Sequence, residues 1–142
     1  MSADSALLAS DTELVSAVLA ALRRDEGIRS QFGNPPRLFD AETVAAAFPY
    51  CLLERHETLD VSSSETRSFE HRLQFGTRSR FGGLVEAKGL LSALRGGLES
   101  MELSLSTQRV VLVFPTYSDV LRSISAQVFR GILRVRILTE EL

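Results

Sequence analysis

The segment at residues 67–79 alternates between mainly apolar and polar side chains. One side of it carries Phe69, His71, Leu73 and Phe75, and the other side carries Ser68, Glu70, Arg72 and Gln74. Successive side chains of a strand point to opposite faces of a sheet, so the alternation predicts a strand with one buried face. A fold for this chain must cover one side of that strand and leave the other side to water or to another chain.

Four other segments are predicted as strands. Residues 37–40 form a short one, and residues 48–59 form a longer one entered through Pro49, which suits the first residues of a strand or an edge. Residues 109–117 and 126–139 are predicted to form a final hairpin around a loop at 118–125. Residues 60–66 are polar, and their number predicts a flexible hairpin loop and not a tight turn.

Apolar residues at helical spacing predict three helices. Asp11 can cap the first, with Glu13 in its first turn and an apolar stripe over residues 14–22, while residues 1–10 are expected to fray. A short helix at 25–32 should stop at Gly33-Asn-Pro-Pro36. A third helix at 84–98 should fray or end at Gly96-Gly97.

The order of these elements predicts an α+β fold that forms one domain over residues 1–142. An antiparallel or mixed sheet of about four to five strands would carry helices packed on one face. Because only one layer of helices is available, the second face of the sheet is expected to meet water or another chain.

The composition fits a soluble globular protein. The chain has 142 residues, of which 44% are hydrophobic and 24% charged, and its net charge of −2 predicts no strong attraction to nucleic acid or membrane. No apolar stretch approaches the roughly 20 residues that span a bilayer, and the N-terminus lacks the basic region of a signal peptide. Cys51 is the single cysteine and lies in an apolar run, which predicts a buried, inert thiol in a reducing cytoplasm.

The sequence contains few residues suited to catalysis or metal binding. It has no nucleophile elbow, phosphate-binding loop or dinucleotide fingerprint. His71 is predicted to be a hydrogen-bonded core or interface histidine, and His56 is predicted to lie at a solvated, charged strand end. One cysteine and two scattered histidines do not match the spacing of a zinc site. We therefore expect no catalytic residue, no cofactor, no metal site and no enzymatic activity.

The most unusual local feature is a row of arginines in the last predicted strand. Three arginines there share one face with two apolar residues, and a fourth arginine in the preceding predicted loop extends the row. These candidate interface residues are Arg122, Arg130, Ile132, Arg134, Arg136 and Leu138. Arginine suits bidentate pairing with carboxylates across an interface. A solvated sheet face, a subunit interface and a lumen for passing DNA all stay open, and the acidity of the chain favours an interface over a lumen.

Four stretches in this order resemble the tail completion, or tail terminator, proteins of siphophages and of phage-derived gene transfer agents. They are residues 14–40, the Phe-Pro-Tyr strand entry within residues 47–54, residues 70–79 with Glu-Ala-Lys at 86–88, and residues 129–140. The likeness covers the chain from about residue 8 to the C-terminus. Residues 118–125 depart from it, because many relatives have Asp- and Gly-rich turn residues there.

The resemblance implies a structural protein of a virion or virus-like particle, made in the bacterial cytoplasm. It implies a homo-hexameric ring that caps the head-proximal end of the tail tube, ends tube polymerisation and joins the tail to the neck. The partners would be other copies of the chain, the tail tube protein and a neck, stopper or head–tail connector protein, with DNA only as transiting cargo and no membrane.

A ring subunit must expose two different patches that complement each other head to tail. The uncovered sheet face and the loop at 60–66 are the candidates, the loop through Asp60, Ser63 and Glu65. Leu121, Ile132 and Leu138 would be awkward exposed residues on a monomer. The alternatives are a small cytoplasmic adaptor that binds through the same sheet face, or an enzyme with a pocket around a perturbed titratable group.

Overall fold

The computed structural model describes residues 3–41, 47–80, 82–123 and 127–142. Residues 1 and 2 of the segment predicted to fray and residues 124–126 of the predicted final hairpin lie outside these ranges. The described part has helices α1 (Ala3–Arg24), α2 (Glu26–Phe32) and α3 (Gly83–Ser100). Its strands are β1 (Leu38–Phe39), β2 (Tyr50–Asp60), β3 (Ser68–Ser79), β4 (Gln108–Ser123) and β5 (Val128–Glu141).

The five strands form one mixed sheet in the order β1-β2-β3-β5-β4. β1 runs parallel to β2, and all other neighbours are antiparallel. The alternation predicted for β3 is confirmed, since Phe69, His71, Leu73 and Phe75 are all buried. Strand β5 continues the same buried face. Its buried residues Leu133, Val135 and Ile137 pair directly with the inward-facing residues Phe75, Leu73 and His71 of β3.

The helices pack against that buried face of the sheet. One core cluster joins apolar residues of α1, α2 and α3 to the inward residues of β3 and β5, among them Leu14, Leu22, Phe32, Phe75, Leu94 and Ile137. No helix of the described residues covers the opposite face, which we call the outer face. The predicted α+β class, with a mixed sheet and helices on one side, is confirmed. In the described part of the chain, no helix is both long enough and apolar enough to cross a membrane.

Helix α1 begins at Ala3, so the prediction of a helix start capped by Asp11 was wrong. Asp11 and Glu13 lie inside the helix, and both reach across to other elements. Glu13 accepts hydrogen bonds from the hydroxyls of Ser106 (2.6 Å) and Thr107 (3.1 Å), just before β4. Acidic residues that suggested a helix start instead attach the helix to the sheet.

Helix α3 continues through Gly96-Gly97 to Ser100, so the prediction that the two glycines end it was also wrong. Gly97 is buried, and a Cβ built on it would lie 2.7 Å from Cδ1 of Ile28. The missing side chain therefore allows α3 to pack closely against α2.

Strand β4 runs through the segment that was predicted as a loop. Residues 118–123 pair with residues 128–133 of β5, with Asp119 opposite Ile132. β4 is an edge strand with irregularities between Val110 and Leu112 and between Pro115 and Tyr117. Proline is found on edge strands because it cannot donate to a sheet ladder. The polar residues that indicated a turn lie in a strand with one free edge, where polar side chains stay solvated.

Candidate functional site

The outer face brings the three predicted β5 arginines together. Arg130, Arg134 and Arg136 have the same parity on β5 and point away from the helices. Arg122 does not extend this row, because it pairs with Phe129, which has the opposite parity. Its guanidinium lies 5.8 Å from the Phe129 ring centroid. That part of the sequence prediction was wrong, because residues 118–123 form a strand and not a loop.

Glu54 is the centre of the charge arrangement around Arg130. It lies at the irregularity of β2 between Leu53 and Arg55, and its carboxylate accepts hydrogen bonds from Arg78 (2.9 Å), Arg130 (3.1 Å) and Gln74 (3.1 Å). Burial disfavours the charged form, but these donors outweigh it and hold the pKa of Glu54 below its usual value.

The space for this carboxylate comes from a glycine on the neighbouring strand. A Cβ on Gly76 would lie within 2.5 Å of all three atoms of the Glu54 carboxyl group. Gly76 therefore leaves room for Glu54 to reach both arginines.

A second series of ion pairs runs across the sheet toward β2. Arg136 Nε lies 2.6 Å from Glu70 Oε1, as an ion pair without hydrogen-bond geometry. Glu70 also pairs with Arg72 at 2.8 Å, and Arg72 pairs with Glu57 at 3.1 Å. The arginines of the outer face are thus balanced within the same chain to a large extent, although their side chains stay partly exposed.

Arg134 differs from its two neighbours in the row. It donates a hydrogen bond to the amide oxygen of Gln74 (3.0 Å), and its guanidinium lies 4.8 Å from the ring centroid of Tyr117. No ion pair of Arg134 is found among the described residues. Among the described residues, its positive charge is therefore the one in this row that no ion pair compensates.

Of the two apolar residues in the row, Ile132 was wrongly expected to be exposed. Its exposed fraction is only 8%, and it pairs with Gly76 on β3 and Asp119 on β4. Because Gly76 has no side chain, Ile132 can be covered by the long side chains around it. Leu138 is half-buried on the same face.

The exposed apolar surface lies on β4 instead. Its residues of outer-face parity are Leu112, Phe114, Tyr117 and Leu121, and all four are exposed, Phe114 by 53%. An apolar row on a 16-residue edge strand favours contact with another chain. The sequence interpretation named Leu121 but missed Phe114 and Tyr117. The signal was Pro115 directly after the apolar run at 110–114, because proline within a strand indicates an edge, where apolar side chains can stay exposed.

The loop at 61–67 is held by its own hydrogen bonds. Ser63 N donates to Thr66 O (2.8 Å), and Ser62 N donates to Asp60 Oδ1 (2.9 Å), which lowers the pKa of Asp60. Asp60, Ser63 and Glu65 are all exposed. Ser68 pairs with Glu140 and Arg78 pairs with Arg130, so this loop and Arg130 lie ten residues of β3 apart, or about 33 Å. The structure therefore separates Arg130 from the loop, whereas Leu138 lies near Asp60, because Leu138 pairs with Glu70 and Asp60 pairs with the adjacent Phe69.

The two histidines meet between α1 and the sheet. His71 has a fully buried side chain, which confirms its predicted place in the core, and its Nδ1 lies 2.8 Å from Nε2 of His56. Burial and the neighbouring His56 lower the pKa of His71 to about 4, although Asp11 opposes them. His56 is largely buried, so its prediction as a solvated strand end was wrong; burial lowers its pKa too.

Cys51 is buried as predicted, and burial raises the pKa of its thiol.

Comparison with known proteins identifies a matching family model and a solved structure with the same fold. A family model described as "Tail completion protein gp17" matches residues 16–140. A chain of the solved "Virion of native gene transfer agent (GTA) particle" has the same fold, with a TM-score of 0.81 and 23% sequence identity over 92% of this chain and 96% of that chain. Among curated proteins, no sequence matches significantly.

Proposed function

The chain belongs to the family of tail completion proteins described by the gp17 model, and on this premise we propose that it is a structural subunit that caps the head-proximal end of a phage-type tail tube. In this proposal six copies form a ring that ends tube polymerisation and joins the tail to the neck. The protein acts by assembly, and no bond is made or broken.

The observation that carries the proposal is the exposed apolar row of β4. Leu112, Phe114, Tyr117 and Leu121 lie together on a sheet edge, where a second subunit can cover them without disturbing the core. Burial of apolar side chains at an interface is the main favourable contribution to subunit association. An adaptor could use the same row, but the family membership favours a ring.

Charge complementarity supports a head-to-tail contact between copies. The β4 row is adjacent to Arg134, whereas the loop with Asp60 and Glu65 lies at the end of the sheet where β2 leads into β3. Arg134 lies opposite Gln74, six residues of β3 or about 20 Å from the start of β3 at Ser68, so Arg134 and Glu65 of the loop can meet only between two chains. Such a heterologous contact generates a closed ring when the rotation between subunits closes.

The partners follow from this arrangement. We assign Arg130, Arg134, Arg136 and Leu138 to the border of the subunit contact and not to a DNA-facing lumen, since Arg130 and Arg136 are already paired with Glu54 and Glu70. The two flat surfaces of the ring would then meet the tail tube protein and the neck or connector protein.

The test is the mass of the purified chain in solution, measured by light scattering across a concentration series, alone and with the tail tube protein of the same particle. We expect a hexamer, or a monomer–hexamer equilibrium, in at least one setting. Phe114→Arg should leave a folded monomer in both. Val85→Arg is the matched control, because Val85 is 84% exposed and lies on α3, which packs on the opposite side of the sheet from the outer face.

A strict monomer of the natural sequence in both settings would contradict the ring and favour the adaptor. Assembly of Phe114→Arg at the natural concentration would contradict the assignment of the β4 row. Electron microscopy of tail ends with added protein distinguishes a ring on the tube from aggregation.

A further inference from the structure

Three side chains from three different elements converge where α1 crosses the sheet. Asp11 comes from α1, His56 from β2 and His71 from β3. Asp11 Oδ1 lies 3.7 Å from His56 Nε2 and 3.5 Å from His71 Nδ1, and the two nitrogens are 2.8 Å apart. These three atoms are ligand types that bind divalent transition metals.

The separations are close to those of a metal-centred site. Zinc binds nitrogen and oxygen ligands at about 2.0–2.2 Å, which puts two tetrahedral ligands about 3.3–3.6 Å apart. Two of the three distances match this range to about 0.1 Å, and the third requires the imidazoles to separate by about half an ångström. The Thr58 hydroxyl donates a hydrogen bond to Asp11 Oδ1 (2.5 Å) and lies 3.1 Å from His56 Nε2, so it holds the carboxylate beside the two imidazoles.

Hydrogen bonds behind His71 orient its ring for such a role. The Ser10 hydroxyl donates to Oε1 of Gln108 (2.7 Å), whose amide NH₂ group donates to the Ser10 carbonyl (3.1 Å). Ser10 Oγ has therefore used its proton, so at 3.1 Å it accepts one from His71 Nε2, and the Thr139 hydroxyl, 3.3 Å from the same nitrogen, can accept as well. His71 then carries its proton on Nε2, and the lone pair of Nδ1 points at His56 and Asp11.

This arrangement is the second shell that metal-binding histidines require. Ligand histidines usually donate their other N–H to an oxygen, which fixes the tautomer and the ring orientation. A metal ion replaces the hydrogen bond between His56 Nε2 and His71 Nδ1, and the proton of His56 Nε2 moves to Nδ1 of the same ring. The side chains of Asp11 and His56 are 27% and 15% exposed, which gives an ion a path from solvent.

We propose that Asp11 Oδ1, His56 Nε2 and His71 Nδ1 bind one divalent transition-metal ion, with zinc as the best match. Two imidazoles and one carboxylate suit zinc, whereas magnesium and calcium prefer oxygen ligands throughout. Water completes the coordination. The ion joins α1 to β2 and β3, so its role is structural, and the site does not depend on the proposed ring.

The sequence did not indicate this site because its ligands are 45 and 15 residues apart and lie on three elements. Zinc motifs are recognised by short ligand spacing, which is absent here. Only the packing of α1 over the sheet brings Asp11 to the two histidines.

Isothermal titration of the chelator-treated chain with zinc chloride tests the proposal, with thermal unfolding as a second readout. We expect one ion per chain and a rise in Tm. His56→Ala and Asp11→Asn should each weaken zinc affinity by more than about 100-fold. Glu57→Gln is the control, because Glu57 neighbours His56 on β2 but points to the outer face, and it should bind as tightly as the natural chain.

A natural chain that binds zinc no more tightly than His56→Ala would overturn the proposal, as would equal loss in Glu57→Gln. Should His56→Ala fail to fold by circular dichroism, Asp11→Asn decides, because it keeps the size of the side chain. Cobalt substitution adds a direct check, since the visible spectrum of bound Co²⁺ reports nitrogen and oxygen ligands in tetrahedral geometry.

Discussion

At the scale of single residues, Glu54 has the largest influence on the outer face. Its carboxylate holds two arginines from two strands and a glutamine in place. Removal of its charge leaves Arg78 and Arg130 without their common partner. Because Glu54 is largely but not completely buried, solvent compensates for part of this loss.

We predict that Glu54→Gln lowers the free energy of unfolding by about 1–2 kcal/mol at pH 7. Glu99→Gln is the control. It removes an exposed carboxylate paired with Arg95 on α3, and it should change stability by less than about 0.5 kcal/mol. Urea unfolding of both variants measures the difference, and equal effects would contradict the special role of Glu54.

The lowered pKa of Glu54 also predicts how the stability difference between the natural chain and Glu54→Gln depends on pH. The pKa of Glu54 is lowered by folding, so its contribution is complete above its unfolded value near 4.5 and is lost as the pH falls through the folded value. The stability difference between the natural chain and Glu54→Gln should therefore be constant from pH 7 to about 5 and shrink below 4.5. Urea unfolding at pH 7, 5 and 3.5 measures it, and a difference that grows on acidification would have the wrong sign.

At the scale of elements, the packing of α3 depends on one of two adjacent glycines. Gly97 faces Ile28 and Leu22, whereas a Cβ on Gly96 would meet nothing within 4 Å. Helix propensity alone treats the two positions alike. The structure separates them, because only one lies in the contact between helices.

Gly96→Ala should raise the free energy of unfolding by about 0.5–1 kcal/mol through helix propensity. Gly97→Ala should lower it by about 1–3 kcal/mol, since the new methyl group forces α3 away from α2. Thermal and urea unfolding of the two variants measure both values. A stabilising Gly97→Ala would show that the contact relaxes without cost.

The elements also differ in how well sequence patterns predict them. β3 was predicted closely because one of its faces is buried along its full length, so its alternation is complete. The strand predicted for β4 ended too early, at residue 117, because β4 is an edge strand without a fully buried face. Ser118 and Asp119 are residue types that are common in turns, so the sequence indicated a loop there. Asp11 and Glu13 look like a helix start in sequence, yet both are used in contacts to β2, β3 and the segment before β4.

At the scale of the whole molecule, the resemblance to tail completion proteins seen in the sequence is confirmed by the family match over residues 16–140. The arginine row was found from sequence because its residues alternate on one strand. The compensation of its charge was not predicted from the sequence, because Glu54 and Glu70 lie on other strands and only the sheet register brings them close to the arginines. The Asp11, His56 and His71 cluster depends in the same way on packing.

Arg134→Glu should block subunit assembly and leave a folded monomer, because it reverses the one charge of the row that has no ion pair among the described residues. Arg24→Glu on α1 is the control and should assemble normally, because Arg24 is exposed and, like Arg134, has no ion pair among the described residues. Light scattering measures the mass, and circular dichroism checks the fold. Normal assembly of Arg134→Glu would remove the arginine row from the interface.

The free edge of β4 has a consequence for how large an assembly can become. A regular edge strand can accept a further strand, that one can accept another, and the product is a fibre without a fixed end. Pro115 lacks the N–H that such growth needs, and the irregularities at residues 110–112 and 115–117 break the spacing of the remaining donors. This edge disfavours an endless fibre and fits the proposed ring, in which copies join through side chains at a set angle.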